Sequence, residues 1–117
     1  MPYLSILKKL LESVDGAVGA GFVDYEGETV QLAGPLEDYA HRVHLACQRI
    51  FLEKLISIHD RYLIHPSSLV CVYQNLTLVI KPLKNCYLLV LTLAHRRQLT
   101  KALRVAEEAA ARLNLDI

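Results

Sequence analysis

Residues 35–62 read PLEDYAHRVHLACQRIFLEKLISIHDRY, the long helical pattern of this chain. At about 3.6 residues per turn, apolar residues fall on two opposite sides of the predicted helix. The broader of the two stripes contains Leu36, Ala40, Val43, Cys47, Ile50, Phe51 and Ile58. Because an amphipathic helix turns its apolar stripe toward the core, we expect the broader stripe to pack against the protein's own core.

The narrower stripe consists of Leu45, Leu52 and Ile56, about half a turn away from the broader one. Its spacings are typical of the seam of a helix that faces another helix, and it is flanked by His41, Gln48, Arg49 and His59. Since a small domain has one core, we expect the narrower stripe to meet another molecule. The alternative is a row of isolated surface aliphatic side chains, which is common on soluble proteins.

The composition indicates one folded domain over residues 1–117, because 117 residues are too few for two domains. A hydrophobic content of 53% with 21% charged residues excludes disorder. No apolar run approaches the roughly 20 residues of a membrane helix, and the N-terminus lacks the pattern of a signal peptide. We therefore expect a cytoplasmic protein. The net charge of +1 gives no electrostatic argument for nucleic-acid binding.

Hydrophobic periodicity and turn residues predict the order helix, two strands, helix, three strands, helix. The strand groups contain short turns, which indicate antiparallel pairing, and Tyr87–Leu93 is apolar on both faces, so helices must cover both sides of the sheet. The predicted elements outside the long helix are a helix over Tyr3–Val14, strands over Ala17–Val23, Glu28–Ala33, Leu69–Tyr73, Leu76–Lys81 and Cys86–Ala94, and a helix over Gln98–Leu113.

The sequence contains no motif typical of a catalytic, nucleotide-binding or metal-binding site. Gly16, Gly19 and Gly21 precede a strand, whereas a phosphate loop follows one, so we interpret Gly19 and Gly21 as places where a helix packs closely on the first strand. His41, His44 and Cys47 diverge around the helix and cannot converge on a metal. We therefore predict no catalytic residue, no cofactor and no metal.

The sequence also allows predictions about the cysteines and about a cluster of basic residues. Cys47, Cys71 and Cys86 lie in apolar patterns and are expected to be reduced core thiols. The segment His95-Arg96-Arg97, with Lys101 and Arg104 nearby, is the basic cluster of the chain. It can hold a phosphate or an acidic patch of a partner, although a solvated start of a helix is the simpler interpretation.

The order and spacing of these elements resemble the Roadblock/LC7 family over nearly the whole chain. The resemblance is carried by Leu7-x-x-Leu10-Leu11, Gly16-AVGAGFV-Asp24, the turn Tyr25-Glu26-Gly27, the long helix, Leu76-TLVIK-Pro82 and Cys86-YLLV-Leu91. One departure is the tight turn at Gln74-Asn75, where glycine is more usual. The resemblance implies an α+β sandwich with a five-stranded antiparallel sheet of order 2-1-5-4-3. The long helix is expected on one face and the two terminal helices on the other.

The resemblance also implies a non-enzymatic function. Members of the family typically form homodimers by pairing the third strand across a two-fold axis, and they regulate Ras-like small GTPases, as MglB-type proteins do, or act as adaptors. For this chain it therefore implies a homodimeric regulator or scaffold that binds a Ras-like GTPase and modulates its nucleotide cycle. The residues predicted to form the dimer or partner interface are His41, Leu45, Gln48, Arg49, Leu52, Ile56, Leu69, Val70, Cys71, Val72 and Tyr73.

Two alternatives stay open from the sequence. One is an adaptor subunit of a larger complex without GTPase regulation. The other is a small-molecule sensor of the PAS or GAF kind, which requires a cavity with a few convergent polar groups. The inward positions of the predicted strands are Leu, Val and Ile, which favours a packed core over a sensor cavity.

Overall fold

The fold comes from a computed structural model that describes residues 3–60 and 67–117, with the backbone alone for residues 38, 39, 56 and 58–60. Every element of the predicted order is present. The helices and strands are α1 (Tyr3–Ser13), β1 (Ala17–Val23), β2 (Thr29–Ala33), α2 (Asp38–Asp60), β3 (Leu69–Val72), β4 (Thr77–Pro82), β5 (Leu88–Leu93) and α3 (Leu99–Asn114).

The five strands form one antiparallel sheet in the order β2-β1-β5-β4-β3, as predicted. In the centre of the sheet Phe22 of β1 is paired with Leu89 of β5, and Val90 of β5 with Ile80 of β4. Strands β2 and β3 are the two edges. The central strand, β5, is buried along its whole length, which confirms that both faces of the sheet are covered.

One face of the sheet is covered by α1 and α3. Leu7 of α1 and Leu113 of α3 are fully buried in the same cluster as Phe22 and Leu91 of the sheet. Helix α3 contributes mainly small side chains to this core, namely Ala102, Ala106, Ala109 and Ala110. Small side chains let the helix approach its neighbours closely, as the alanine-rich pattern predicts.

Helix α2 covers the opposite face, where the second core lies. A Cβ built on Gly21 would lie 2.3 Å from Cδ1 of Leu45, and one on Gly19 would lie 2.8 Å from Cδ1 of Leu36. No real carbon pair approaches so closely, so a side chain at either position would push α2 or its approach away from the sheet. The predicted close packing on β1 is therefore confirmed.

Most boundaries differ from the prediction by at most a single residue, and the larger differences are at β5 and α2. Strand β5 begins at Leu88, because Asn85 and Cys86 have positive φ values of 56° and 65° at a 3₁₀ turn before it. Helix α2 begins at Asp38, three residues after Pro35, and the N–H of Ala40 donates to the Glu37 carboxylate at 3.2 Å near its start. Its predicted end at Tyr62 lies outside the described residues. None of the helices described is both long enough and apolar enough to cross a membrane.

Candidate interaction surface

Helix α2 packs on the sheet through its narrower apolar stripe, and not through the broader stripe as predicted. Leu45 and Leu52 of the narrower stripe are 0% and 1% exposed, and both belong to the core beneath α2. Val43, Ile50 and Phe51 of the broader stripe are 47%, 56% and 52% exposed. The prediction that the broader stripe packs against the protein's own core is therefore wrong.

The physical reason lies in the shape of the sheet face below α2. Gly21 has no side chain, so β1 offers a depression that receives Leu45. Leucines seven residues apart form one row, as in a helix seam, and one row of side chains fits such a depression. A helical wheel shows which residues are apolar, but it carries no information about which side meets the chain's own sheet.

The correction extends to the residues beside Leu45 and Leu52. His41, Gln48 and Arg49 were predicted to flank an exposed stripe, and each is instead at most 6% exposed. Leu45, Leu52 and these three neighbours therefore do not form an open surface in the single chain. The side chains of Ile56, Ile58 and His59 lie outside the described residues.

Strand β3 provides the second part of the candidate surface. Leu69 and Cys71 pack against the core beneath α2, and burial raises the pKa of the Cys71 thiol. Val70, Val72 and the following Tyr73 are 39%, 54% and 48% exposed. The strand is thus apolar on both faces, as predicted, and its outer edge has no strand partner within the sheet. A bare apolar edge is a template for pairing with another chain.

Tyr73 joins the two parts of the surface. The amide Nε2 of Gln48 donates to the Tyr73 hydroxyl oxygen at 3.1 Å, and the His44 and Tyr73 rings meet edge to face with centroids 5.9 Å apart. Phe51 follows His44 by seven residues, so it lies on the same flank of α2, toward β3. We call the exposed apolar residues of α2 and of the β3 segment the α2–β3 surface; it consists of Val43, Cys47, Ile50, Phe51 and Tyr73 on the α2 side of the sheet, and of Val70 and Val72 on the opposite side.

The cysteines and histidines are placed differently from the prediction. Cys47 and Cys86 are exposed and Cys71 is half-buried, so the expectation of three core thiols is wrong for two of them. The histidine that was expected to point outward, His41, is buried, and Cys47 faces outward on the other side of α2. Across residues 3–60 and 67–117, no group of three or more His, Cys, Asp or Glu residues is placed to hold a metal ion.

A cleft of about 300 Å³ opens between the start of α2 and the sheet. Its apolar walls are Leu36, Ala40 and Leu76, and its polar lining residues are Glu37, His41, His44 and Thr92. Thr92 is 0% exposed and its hydroxyl has no hydrogen-bond partner in the described structure, so the hydroxyl does not open into the cleft.

No protein-family model and no curated protein matches the amino-acid sequence. Solved structures match it closely in three dimensions. MglB from Myxococcus xanthus superposes with a TM-score of 0.87 at 12% sequence identity, covering 97% of this chain and 93% of that chain. A Roadblock/LC7 domain from Streptomyces avermitilis gives a TM-score of 0.80 at 13% identity, with 93% and 92% covered.

MglC from Myxococcus xanthus matches over 100% of both chains, with a TM-score of 0.77 at 16% identity. At such low identity a structural likeness speaks for the fold and not for the partners of the protein. The sheet order, the placement of the three helices and these superpositions agree with one another. The chain has the Roadblock/LC7 fold.

Proposed function

We propose that this protein is a non-catalytic homodimeric regulator that binds a Ras-like small GTPase and modulates its nucleotide cycle. The observations that carry the proposal are the exposure of Val43, Ile50 and Phe51 on α2 and the unpaired edge of β3. Exposed apolar side chains grouped on one helix, together with an unpaired strand edge, mark a protein interface. The Roadblock/LC7 fold supports a regulatory or scaffolding role for that interface.

The edge of β3 and the flank of α2 that carries Phe51 are proposed as the dimer contact. Two copies that pair β3 across a two-fold axis would continue the sheet and place their α2 helices side by side. A typical stable interface buries about 1,600 Å² in total, which a strand pair and two helix flanks can supply. A solved MglB structure with this fold has a tetrameric arrangement, which supports self-association.

The outward ridge of α2 is proposed as the platform for the GTPase. Val43 and Ile50 are seven residues apart and half exposed, with exposed Cys47 between them. Two α2 helices side by side would present these residues as an apolar centre with a polar rim, the composition of a non-obligate interface. One GTPase per dimer is expected, because a single asymmetric molecule would cover the two-fold axis.

The arginines of α2 bear on how the GTPase would be affected. Arg49 is 6% exposed, so its guanidinium cannot reach into another protein unless α2 moves. Arg42 is exposed but is carried on a helix and not on a reaching loop. We therefore propose a conformational effect on the GTPase switch loops, and not an arginine finger, which would contribute about 10³–10⁵ in rate.

The test is GTP hydrolysis by the cognate GTPase with the unmodified protein, Ile50→Asp, Arg42→Ala and Val30→Asp. Val30 is an exposed apolar residue on β2, at the other edge of the sheet, and serves as the matched control. We expect Ile50→Asp to abolish binding, while Arg42→Ala and Val30→Asp retain it. Loss of stimulation with retained binding in Arg42→Ala would indicate a finger.

The adaptor function is the second candidate, since the same exposed surface can hold a scaffold partner. Capture of proteins from the native cytosol on unmodified protein and on Ile50→Asp separates the two. A GTPase retained only by the unmodified protein supports regulation. If the partners lost in Ile50→Asp include no GTPase, the adaptor function replaces it.

A further inference from the structure

Two clusters of charged side chains outside the α2–β3 surface lie at opposite ends of the sheet. The strands β1 and β5 run antiparallel, with Val23 beside Leu88 at one end and Ala17 beside Leu93 at the other. The β1–β2 turn extends from the first end and the segment leading into α3 extends from the second. A seven-residue strand is about 20 Å long, so the net charge of +1 conceals two separated regions.

The end at Leu93 is basic. Arg96, Arg97, Lys101 and Arg104 are exposed and line an open cleft of about 470 Å³. None of the four forms an ion pair with any carboxylate of the described residues, where Lys81 pairs with Glu107 and His95 with Asp15. The basic cleft therefore has no intramolecular counter-charge in contact.

The placement of these cations is electrostatically unfavourable for α3 itself. The first turn of α3 contains no acidic residue, and the cations lie around the N-terminal end, where the helix dipole is positive. Each cation there raises the electrostatic energy of the isolated chain. An anionic group seated among them would relieve that repulsion.

The backbone that carries the basic cleft is held in place. The N–H of Ala94 donates to the carbonyl oxygen of Gly16 at 2.7 Å, and the N–H of Asp15 donates to Oε1 of Gln98 at 2.8 Å. These bonds fasten the start of α3 to the end of α1. A backbone that is already held loses less conformational entropy on binding than a mobile one.

The end at Val23 carries an acidic turn. Glu26 and Glu28 are exposed and form no ion pair with another described residue, and Tyr25 between the strands is 57% exposed. The carboxylate Oδ1 of Asp24 accepts hydrogen bonds from the N–H groups of Glu26 and Glu28 at 2.9 and 3.0 Å. The turn is thus preorganised, with its two glutamates projecting from a fixed backbone. Lys84 lies on the neighbouring β4–β5 turn and offsets part of this charge.

We propose that the basic cleft of one copy binds the acidic β1–β2 turn of a second copy, in a head-to-tail contact separate from the α2–β3 surface. The two regions are of opposite sign, neither forms an ion pair among the described residues, and about 20 Å of strand lies between them. That separation exceeds the Debye length of about 8 Å at physiological salt, so they cannot neutralise each other within one chain. A head-to-tail contact is heterologous and can repeat from copy to copy.

The test is sedimentation velocity of the purified chain at about 10 mM and about 150 mM salt, between which the Debye length falls from about 30 Å to about 8 Å. We expect the weight-average mass at low salt to be at least about twice that at high salt, because a head-to-tail contact joins at least two of the high-salt species. A dimer through the α2–β3 surface is mainly apolar and is present at both salt concentrations. The increase in weight-average mass at low salt therefore measures the head-to-tail contact alone.

Charge-reversal variants test whether the basic cleft and the acidic turn form the contact. The variant Arg97→Glu with Lys101→Glu and the variant Glu26→Lys with Glu28→Lys should each lose the growth at low salt, while an equimolar mixture should regain it. Lys8→Glu with Lys9→Glu reverses two exposed cations on α1 and is the matched control, which should grow like the unmodified chain. Growth retained in either end variant, no growth in the mixture, or equal loss in the α1 control would overturn the proposal.

Discussion

The two sides of α2 show how differently equal hydrophobicity can be used in one helix. The side with Leu45 and Leu52 lies in a depression of the sheet and is almost fully buried. The side with Val43, Ile50 and Phe51 has more apolar side chains, yet about half of each is exposed. The number of apolar residues on a helix face thus does not determine which face meets the chain's own core; the shape of the receiving surface does.

The largest expected effect comes from placing a charge on each side of α2. Leu52→Asp buries a carboxylate without a partner, so the chain should be unfolded or insoluble, because an unpaired buried charge costs several kcal/mol. Ile50→Asp should leave the chain folded, since its side chain is exposed. Circular dichroism with thermal unfolding measures both. A folded Leu52→Asp protein would contradict the orientation of α2.

A smaller loss of stability is expected when the depression itself is filled. Gly21→Ala introduces a Cβ that would lie 2.3 Å from Cδ1 of Leu45, and such overpacking typically costs about 1–3 kcal/mol. Gly27→Ala is a useful comparison in the β1–β2 turn, where the nearest atoms are 3.8 Å away and the strain comes from its φ of +87°. Combining Gly21→Ala with Leu45→Ala should recover part of the loss caused by steric overlap. Urea unfolding measures the free energy of unfolding of each variant. If the losses of the two single variants simply add in the double variant, residues 21 and 45 are not in direct contact.

Assembly should respond to the exposed side and to the β3 edge without a change in fold. Phe51→Asp and Val72→Arg should lower the mass measured by light scattering from twice the chain mass of 13.2 kDa to the chain mass itself. Their unfolding free energies as single chains should differ by no more than about 0.5 kcal/mol from one another, as is usual for surface substitutions. If the unmodified protein has the mass of one chain, the proposed dimer is wrong.

The smallest effect is a difference in thiol reactivity. At neutral pH Cys86 should be alkylated fastest because it is exposed on a turn, and Cys71 slowest because burial shields it and raises the pKa of its thiol. A raised pKa keeps the thiol protonated to a higher pH, so the Cys71 rate should increase at more alkaline pH than an unperturbed thiol would show. Cys47 is exposed in the single chain but lies on the α2–β3 surface, so assembly should slow it. Mass spectrometry of labelled peptides separates the three, and equal protection of Cys47 and Cys86 would argue against the proposed surface.

Much of the fold could be predicted from the sequence because local signals determine its elements. Gly16 adopts the left-handed conformation that ends α1, with a φ of +89°, and the hydrophobic pattern of α3 places four alanines in its core. The sheet order came from the resemblance to a family and not from the residues. The packing of α2 could not be predicted, since it depends on Gly21 lying under Leu45, a contact between elements that is absent from either segment alone.

The candidate surface was predicted in part for the same reason. The sequence shows that Leu69–Tyr73 is apolar on both faces, but it does not show that Val70 and Val72 are the exposed pair, because the residues between them are equally apolar. The α2 residues were assigned to the wrong side. The two glycines of β1 held a usable signal, because Gly19 and Gly21 on one strand face indicate where a helix sits deepest and therefore favour a narrow row of side chains above them.

A buried lysine connects the start of the edge strand β3 to helix α3. The Lys81 side chain is 4% exposed, its ammonium Nζ donates to the Ser68 hydroxyl at 2.9 Å, and it pairs with the Glu107 carboxylate of α3. Ser68 immediately precedes β3, so this single ammonium fastens the start of the edge strand to the middle of α3. A displacement of the start of β3 by a partner must therefore either move the Lys81 ammonium, which also contacts α3, or break its hydrogen bond to Ser68. Lys81 thus links the start of the edge strand to α3, the helix that follows the basic cleft.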